Sequence, residues 1–137
     1  QIKMIIRGIC SMRTENKKFK QPIQAVSIVD EYLEHARVMV FHQGGQEKIF
    51  ISSADWMVRN IDHRVEAACM IKDKTIKQEI IDILHIQLSD NVKARKLDNE
   101  LQNQYVNPRN TKKVRSQVET YQYLFRKLST VNVVEAK

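Results

Sequence analysis

The stretch Lys48–Glu66 constrains the fold of this chain more than any other, because it predicts a strand that turns directly into a helix. It opens on the apolar run Ile49–Ile51 and continues through two hydroxyls and a carboxylate, Ser52, Ser53 and Asp55. In α/β proteins, polar side chains that follow the carboxyl end of a strand commonly build the functional site. We therefore predict that this corner belongs to a site and that the other elements support it.

Short apolar runs alternate with helical patterns along the rest of the chain. The predicted strands are 2–9, 37–41, 48–51 and 65–71, and the predicted helices are 23–33, 53–60, 73–89 and 112–128. A basic loop is predicted at 11–22, a hairpin turn at Gly44–Gly45 and an irregular segment at 92–109. This alternation, with helices at the end, indicates an α/β domain with C-terminal helical additions.

The predicted helices carry cap and packing signals. Ser52, Ser53 or Asp55 is predicted to cap helix 53–60, and Asp73 is predicted to cap helix 73–89. The last helix is amphipathic, and its predicted apolar face comprises Val114, Val118, Tyr121, Leu124, Phe125 and Leu128.

The net charge of this 137-residue chain is +7, and most of it lies in the second half. Residues 71–137 hold thirteen Lys or Arg against eight Asp or Glu, whereas residues 1–70 hold ten against eight. Within 91–127 the excess is nine against three. A basic surface suits nucleic acid, an anionic membrane or a polyanionic substrate, and the charge count does not choose among them.

Missing motifs disfavour several classes of protein. No apolar run approaches the roughly 20 residues of a membrane span, and no signal peptide is visible. The chain has no glycine-rich nucleotide loop of either common type and no Cys/His spacing for zinc. We predict that Cys10 and Cys69 are reduced core residues of a cytosolic protein. Because the chain begins at Gln1 rather than Met, we expect a fragment of a larger protein.

A set of cationic, imidazole and hydroxyl side chains near the predicted strand ends is chemically suited to phosphate. Arginine offers paired N–H donors, hydroxyls add short donors, and imidazole transfers a proton or forms a phosphoramidate. Backbone N–H groups near Ser53 would add to an anion site, whereas Asp55 could instead orient a neighbouring Arg or His. The alternative is that Ser53 only caps a helix and that Arg59 and Arg64 are surface residues. The set comprises Arg7, His35, Arg37, Ser52, Ser53, Arg59 and Arg64.

Five segments of the sequence resemble the C-terminal domain of bacterial polyphosphate kinases, and together they span nearly the whole chain. The run SSADWM-x-RN-x-D-x-R at 52–64 is the most specific part of the resemblance. The segments are IIRGIC at 5–10, SIVDEYLEHARV at 27–38, ISSADWMVRNIDHRVE at 51–66, LSDNVKARKLDNELQNQYV at 88–106 and KKVRSQVETYQYL at 112–124.

The resemblance implies an α/β fold with a phospholipase D-like mixed sheet flanked by helices and C-terminal helical additions. It implies that 1–137 is the last of four domains of a larger enzyme, with 110–137 as its terminal helix and tail. Such enzymes reversibly transfer the terminal phosphate of ATP to inorganic polyphosphate through a phosphohistidine that lies in another domain. ATP and ADP are therefore the expected substrates, Mg²⁺ is expected with ligands outside this chain, and the isolated fragment is expected to be inactive.

The resemblance also implies roles for particular residues. Arg7 stands where the family's strand arginine binds ATP phosphates, and His35 matches its active-site histidine, with a catalytic and phosphate-binding role. Against the phospholipase D signature HxKx4Dx6GSxN, His35 and Arg37 take the His and Lys places, but His42 stands where the Asp would be. Phospholipase activity is therefore not implied. No metal ligand is assigned, and the supporting residues are expected to be Arg37, Ser53, Asp55, Arg59 and Arg64.

Partners and location follow from the same resemblance. The expected partners are polyphosphate, ATP, the remaining domains of the same polypeptide and further copies in a homo-oligomer. The expected location is the cytoplasm, with association to a membrane surface left open. One alternative is a basic module that binds nucleic acid or another polyanion without catalysis, with an affinity that falls as salt rises. A third interpretation is a catalytically inactive scaffold.

Overall fold

The computed structural model describes residues 1–8, 10–100, 102–106 and 111–135, with side chains described as far as residue 129. The chain divides into two compact units, unit 1 (Gln1–Leu33 with Ile83–Lys137) and unit 2 (Glu34–Asp82). The strands are β1 Lys3–Ile5, β2 Gln24–Ile28, β3 Val38–Phe41, β4 Lys48–Ser52, β5 Ala68–Ile71 and β6 Ala94–Lys96. The helices are α1 Val58–Ile61, α2 Lys74–Leu88 and α3 Ser116–Glu135, with a short 3-10 turn at Gln43–Gly45.

Unit 1 contains a mixed sheet in the order β1-β2-β6. β1 and β2 run parallel, with Met4 opposite Ala25, and β6 pairs antiparallel to β2. The central strand supplies two of the buried apolar side chains, Ala25 and Ile28, and Ala94 of β6 is also buried. The parallel pair brings the carboxyl ends of β1 and β2 to the same edge of this sheet.

The prediction of a helix at 23–33 is wrong, because its first half forms β2. A strand that lies between two neighbours carries apolar residues on both faces, so its spacing does not distinguish it from one turn of a helix. The β-branched Val26 and Ile28 fit a pleated sheet, and the bonds to β1 and β6 decide the outcome.

The strand β6 lies in the segment 92–109 that was predicted to be irregular. Its three residues, Ala-Arg-Lys, carry no apolar alternation, so the sequence offers no strand signal. Long-range bonds hold it in place, because Leu97 N donates to Ala25 O at 3.0 Å and Lys96 N donates to Gln104 O at 2.8 Å.

Unit 2 contains an antiparallel sheet in the order β3-β4-β5. The predicted hairpin is confirmed, with Val40 opposite Ile49 and a turn in which Gly44 and Gly45 adopt φ values of 65° and 94°. That left-handed geometry favours glycine. Ile49 is fully buried and sits between β3 and β5, where Ile71 lies opposite it.

The two shorter helices test the predicted caps. Asp73 caps α2 as predicted, since its Oδ1 accepts a hydrogen bond from Ile76 N at 2.9 Å. The predicted cap of the helix at 53–60 is wrong, because α1 begins only at Val58 and Met57 precedes it without a side-chain cap. The side chains of Ser53 and Asp55 instead form hydrogen bonds with Glu66 and Arg37 of unit 2.

Asp90 anchors the start of α3 within unit 1. Its carboxylate is buried, and Oδ2 accepts a hydrogen bond from Ser116 N at 2.7 Å. Oδ1 accepts three more, from the backbone N–H groups of Val92, Lys93 and Ala94 at 2.9, 2.7 and 3.0 Å. Burial would raise the pKa of Asp90, but the hydrogen bonds from backbone N–H groups outweigh it and hold the pKa below its usual value.

The apolar face predicted for the last helix is only partly packed. Val118, Tyr121, Phe125 and Leu128 are exposed, and Leu124 is half-buried. The helix also begins at Ser116 rather than 112 and continues to Glu135. Helical periodicity predicted the position of α3, but it did not identify which face packs against the rest of unit 1.

The two cysteines are free, as expected for a reduced protein, but their predicted burial is wrong for one of them. Cys10 is half-buried, whereas Cys69 is exposed on β5. Successive residues of a strand point to opposite faces of the sheet, so an apolar run does not bury every side chain. Cys69 lies opposite Ile51 of β4, which is itself exposed. In the described part of the chain, no helix is long and apolar enough to cross a membrane.

Candidate functional site

The centre of the candidate site is an ion pair between Arg37, just before β3, and Asp55, just after β4. Arg37 Nε donates to Asp55 Oδ1 at 2.7 Å, and both side chains are partly exposed. The backbone brings the two segments together, because Ser52 N donates to Arg37 O at 2.9 Å at the end of the β3–β4 ladder. The pairing lowers the pKa of Asp55 and raises that of Arg37.

His35 and Arg59 lie near enough to this pair to act on it electrostatically. The hydrogen bond from Arg37 is the main cause of the lowered pKa of Asp55, and the charges of Arg37, His35 and Arg59 add to it. His35 and Arg59 are both exposed. Asp55 is therefore the acceptor around which several cationic or imidazole groups of unit 2 gather.

Ser53 occupies a second, adjoining part of the cluster. Its hydroxyl donates to the carboxylate of Glu66 and accepts a hydrogen bond from Ala67 N at 3.0 Å. Its backbone N–H donates to Ala67 O at 3.0 Å. Both donors of Ser53 are thus occupied within unit 2, so this residue joins the segment after β4 to the segment before β5.

Glu66 ties this second part together. Its other carboxylate oxygen accepts a hydrogen bond from the buried Asn60 Nδ2 at 2.8 Å. The bonds from Ser53 and Asn60 lower the pKa of Glu66, and the charges of Arg64 and Arg37 contribute further. Glu66 stays ionised at neutral pH and holds α1 against the start of β5.

Not every predicted site residue belongs to this cluster. Arg37, Ser53, Asp55, Arg59, Arg64 and His35 are all in unit 2, whereas Arg7 is in unit 1. Arg7 is exposed and follows β1, where Ile6 N donates to Val26 O at 2.8 Å. It therefore lies at the carboxyl end of the parallel β1–β2 pair.

Sequence reasoning did not find Glu66 or Asn60. Both lie inside the segment 51–66 that resembles the family, but neither has a spacing that signals contact with Ser53. Their convergence depends on β4–β5 pairing, in which Ser52 lies opposite Ala68. Among the described residues, no group of three or more His, Cys, Asp or Glu could hold a metal ion.

Several cations of the basic C-terminal segment are engaged in contacts within unit 1. Arg115 donates through Nε and Nη2 to Asp30 at 2.7 and 2.8 Å, and Lys93 Nζ lies 3.5 Å from the same carboxylate. Arg95 lies over the Tyr105 ring, with its Cζ 4.1 Å from the centroid. These three cations serve contacts inside unit 1, so the segment offers a smaller positive surface to a polyanion than the sequence suggested.

Comparison with known proteins identifies the class of this fold. The sequence model described as "Polyphosphate kinase C-terminal domain 2" matches residues 1–117. The crystal structure of polyphosphate kinase from Porphyromonas gingivalis superposes with a TM-score of 0.90 and 47% sequence identity over 95% of this chain and 20% of that one. The predicted α/β, phospholipase D-like fold is therefore confirmed. The chain belongs to the family of polyphosphate kinase C-terminal domains.

Curated relatives agree with this assignment. The polyphosphate kinase of Vibrio cholerae is 53% identical over 124 residues, and that of Escherichia coli K12 is 47% identical over 123 residues. Each alignment covers 90% of this chain but 18% of the relative. The chain thus spans about a fifth of the length of the proteins it matches.

Proposed function

We propose that this chain is one domain of a larger polyphosphate kinase that reversibly transfers the γ-phosphate of ATP to inorganic polyphosphate. The family match and the close structural likeness to the Porphyromonas gingivalis enzyme carry the proposal. In this scheme the acceptor of the phosphate is a histidine in another domain, where a phosphohistidine forms, and residues 1–137 act as a single domain opposite it. The chain alone would be inactive, because it would lack that nucleophile.

His35 is the residue to which we assign the chemistry on this side of the site. It is exposed and lies near enough to Asp55 to act on that carboxylate electrostatically, so it can meet a substrate next to the Arg37–Asp55 pair. A group placed in this way can donate a proton or a hydrogen bond to the oxygen that leaves during phosphoryl transfer. The proton would pass from the imidazole to the departing ADP oxygen.

Arg37 and Asp55 would supply charge and orientation. Asp55 engages Arg37 through Nε at 2.7 Å, and the terminal nitrogens of the guanidinium would bind the phosphate oxygens. Phosphoryl transfer depends mainly on positioning and on neutralising charge spread over the phosphate oxygens. Arg7 would bind ATP phosphates from its place after β1, and Arg59 and Arg64 would add positive potential.

Ser53 takes a different role in this proposal from direct phosphate binding. Its hydroxyl and its backbone N–H already donate within unit 2, so a phosphate would have to displace one of those bonds. Ser53 and Glu66 would instead keep the segment that carries Asp55 and Arg59 in place. The described residues contain no cluster of three or more His, Cys, Asp or Glu that could hold a metal ion, and the proposal assigns no ligand of Mg²⁺ to this chain.

The whole enzyme would be cytoplasmic and would bind ATP, polyphosphate and its own remaining domains. Its oligomeric assembly would be built from identical chains. These assignments rest on the family to which the chain belongs.

The decisive experiment is replacement of His35 in the intact enzyme that contains this chain. We expect His35→Ala to lower kcat for ATP-dependent polyphosphate synthesis by about 100-fold or more, the usual contribution of a positioned acid or base. His85→Ala is the matched control, because His85 is also an exposed histidine but lies on α2. Turnover of His35→Ala equal to that of the control would remove His35 from catalysis.

A further inference from the structure

The loop between β1 and β2 carries a group of lysines that have no acidic partner. Residues 15–22 hold Lys17, Lys18 and Lys20 against one carboxylate, that of Glu15, and all four side chains are exposed. Among the described residues, none of the three lysines forms a salt bridge, in contrast to the engaged cations of the C-terminal segment. Unpaired positive charge is therefore grouped in the half of the chain whose net charge is the smaller one.

Hydrogen bonds close this lysine loop at its base. Ile23 N donates to Thr14 O at 2.9 Å, and Thr14 N donates to Asn99 Oδ1 at 3.1 Å. Asn99 Nδ2 in turn donates to Glu15 O at 3.0 Å, and Thr14 is buried. Because the base is bonded to the segment after β6, the lysines extend from an ordered backbone, and less backbone entropy is lost when a ligand binds them.

A turn at Asn16 brings the lysines together beside a cavity. Asn16 O accepts a hydrogen bond from Phe19 N, and Asn16 Oδ1 accepts one from Lys18 N, both at 2.9 Å. The adjacent open cavity has a volume of about 310 Å³. Lys17 and Asn16 supply N–H donors to its lining, whereas Glu15 is its one carboxylate. The lining residues are Glu15, Asn16, Lys17, Phe19, Pro22 and Asn99.

The lysine loop lies at the opposite end of the unit 1 sheet from Arg7. Since β1 and β2 run parallel, the chain returns from the carboxyl end of β1 to the amino end of β2. Thr14 pairs with Ile23 just before β2, and Gln24 N donates to Ile2 O at 3.0 Å at that same end. Arg7 lies five residues beyond Ile2, which corresponds to about 16 Å at the rise of a strand. The lysines therefore form a surface apart from the position of Arg7.

We propose that Lys17, Lys18 and Lys20 form an accessory site for the part of a long polyphosphate chain that lies away from the reaction centre. The inference rests on the proposed function, because polyphosphate is the polyanion that the enzyme would handle. Ammonium groups act as point charges and demand no fixed geometry, which suits a flexible, repeating polyanion. A second contact on the same chain raises affinity for long polyphosphate and leaves short ligands unaffected.

The first test measures equilibrium binding of long-chain polyphosphate to the intact enzyme in the absence of ATP. The test variant combines Lys17→Gln, Lys18→Gln and Lys20→Gln. We expect its dissociation constant for long chains to rise about tenfold or more, and the slope of log affinity against log salt concentration to fall by about 2. The dissociation constant for tripolyphosphate and KM for ATP should stay unchanged, because a short ligand at the reaction centre does not reach the loop.

The matched control combines Lys48→Gln, Lys72→Gln and Lys74→Gln, which removes the same charge from exposed lysines of unit 2. Equal affinities of the two triple variants for long chains would overturn the accessory site. So would a loss for tripolyphosphate as large as the loss for long chains, or a loss confined to single-stranded RNA. Failure of the proposed function would appear separately, as an unmodified enzyme that makes no polyphosphate from ATP.

Replacement of Glu15 should act in the opposite direction. Its carboxylate lines the same cavity as Lys17 and repels an anion bound there. We expect Glu15→Gln to raise the affinity for long-chain polyphosphate about threefold at low salt, with the gain lost at high salt. An affinity that is unchanged or lower at low salt would contradict the proposal.

A footprint on the unmodified intact enzyme tests whether the loop is accessible beside the other domains. An amine-reactive reagent should modify Lys17, Lys18 and Lys20, and long-chain polyphosphate should protect them whereas tripolyphosphate should not. Lys72 provides the comparison, and its reactivity should not change with either ligand. Loop lysines that stay unreactive without ligand would show that other domains cover them, and the proposal would be wrong.

Discussion

The Nε atom of Arg37 donates to Oδ1 of Asp55 at 2.7 Å, and this bond joins the start of β3 to the segment that follows β4. It orders a cationic side chain at the edge of the unit 2 sheet, next to an exposed imidazole. The neighbouring Ser53–Glu66–Asn60 contacts hold the same segment from its other side. A guanidinium fixed in this way is ready to bind a phosphate without paying the full entropic cost of ordering it.

Removing the charge of Asp55 should affect substrate use more than folding. We expect Asp55→Asn in the intact enzyme to lower kcat/KM for ATP about tenfold, because Arg37 loses the carboxylate that orients it. Steady-state kinetics measure the effect. Asp62→Asn is the control, an exposed Asp of the same unit. Equal kcat/KM values for the two variants would show that the Arg37–Asp55 pair is only structural.

Use of ATP by the intact enzyme should weaken even when Arg7 is replaced by another cationic residue. Arg7→Lys replaces a planar donor pair with a single ammonium group, so we expect KM for ATP to rise about tenfold in the intact enzyme. Arg13→Lys provides the comparison, since Arg13 is another exposed arginine of unit 1. If both variants bind ATP like the unmodified enzyme, Arg7 does not contact the nucleotide.

Asp90 should matter for stability rather than for chemistry. Asp90→Ala leaves four buried or half-buried backbone N–H groups without their acceptor, so we expect the free energy of unfolding to fall by about 3–5 kcal/mol. Asp90→Asn keeps one carbonyl oxygen and should cost less. Urea titrations provide the measurement, with Asp98→Ala as a control that loses one local bond to Glu100 N. A loss no larger than that of the control would rule out Asp90 as the anchor of α3.

The lowered pKa of Asp30 predicts that unit 1 loses stability in acid. Its hydrogen bonds with Arg115 lower its pKa from 3.8 to about 2. Because the folded pKa lies below the unfolded one, the stabilisation is complete above pH 4 and is lost as the pH falls toward 2. Arg115 is partly exposed, so we expect roughly 1–2 kcal/mol rather than the full value implied by the pKa change.

The measurement for Asp30 is the difference in unfolding free energy between the unmodified protein and Asp30→Asn at pH 6 and at pH 2.5. We expect the difference to shrink at the lower pH. Glu31→Gln serves as the comparison, because Glu31 contacts the same Arg115 from an exposed position and should change little at either pH. A difference for Asp30→Asn that does not vary with pH would contradict the assignment.

Local signals in the sequence were sufficient for part of the fold. The hairpin turn at Gly44–Gly45 and the Asp73 cap depend on residues close together in the chain, and both were predicted correctly. The strands β2 and β6 were missed because each is defined by its neighbours in the sheet. Hydrogen bonds between distant segments leave no periodic pattern in the local sequence, so sequence patterns do not predict them.

The residues of the candidate site were likewise only partly identified from the sequence. Residue chemistry alone pointed to Arg37, Asp55 and His35, and the resemblance to a family singled out Arg7 and His35. Glu66 could not be selected, because its contact with Ser53 arises only when β4 and β5 pair.

The sequence by itself determined the α/β class, the family and the inventory of groups suited to phosphate, because composition, periodicity and a specific run of residues are properties of the chain. Only the tertiary structure decided which groups meet. It paired Arg37 with Asp55, occupied both donors of Ser53, and turned one apolar side of α3 outward. The physical reason is that strand pairing and packing join residues far apart in sequence, and the free energy of those contacts outweighs local preference.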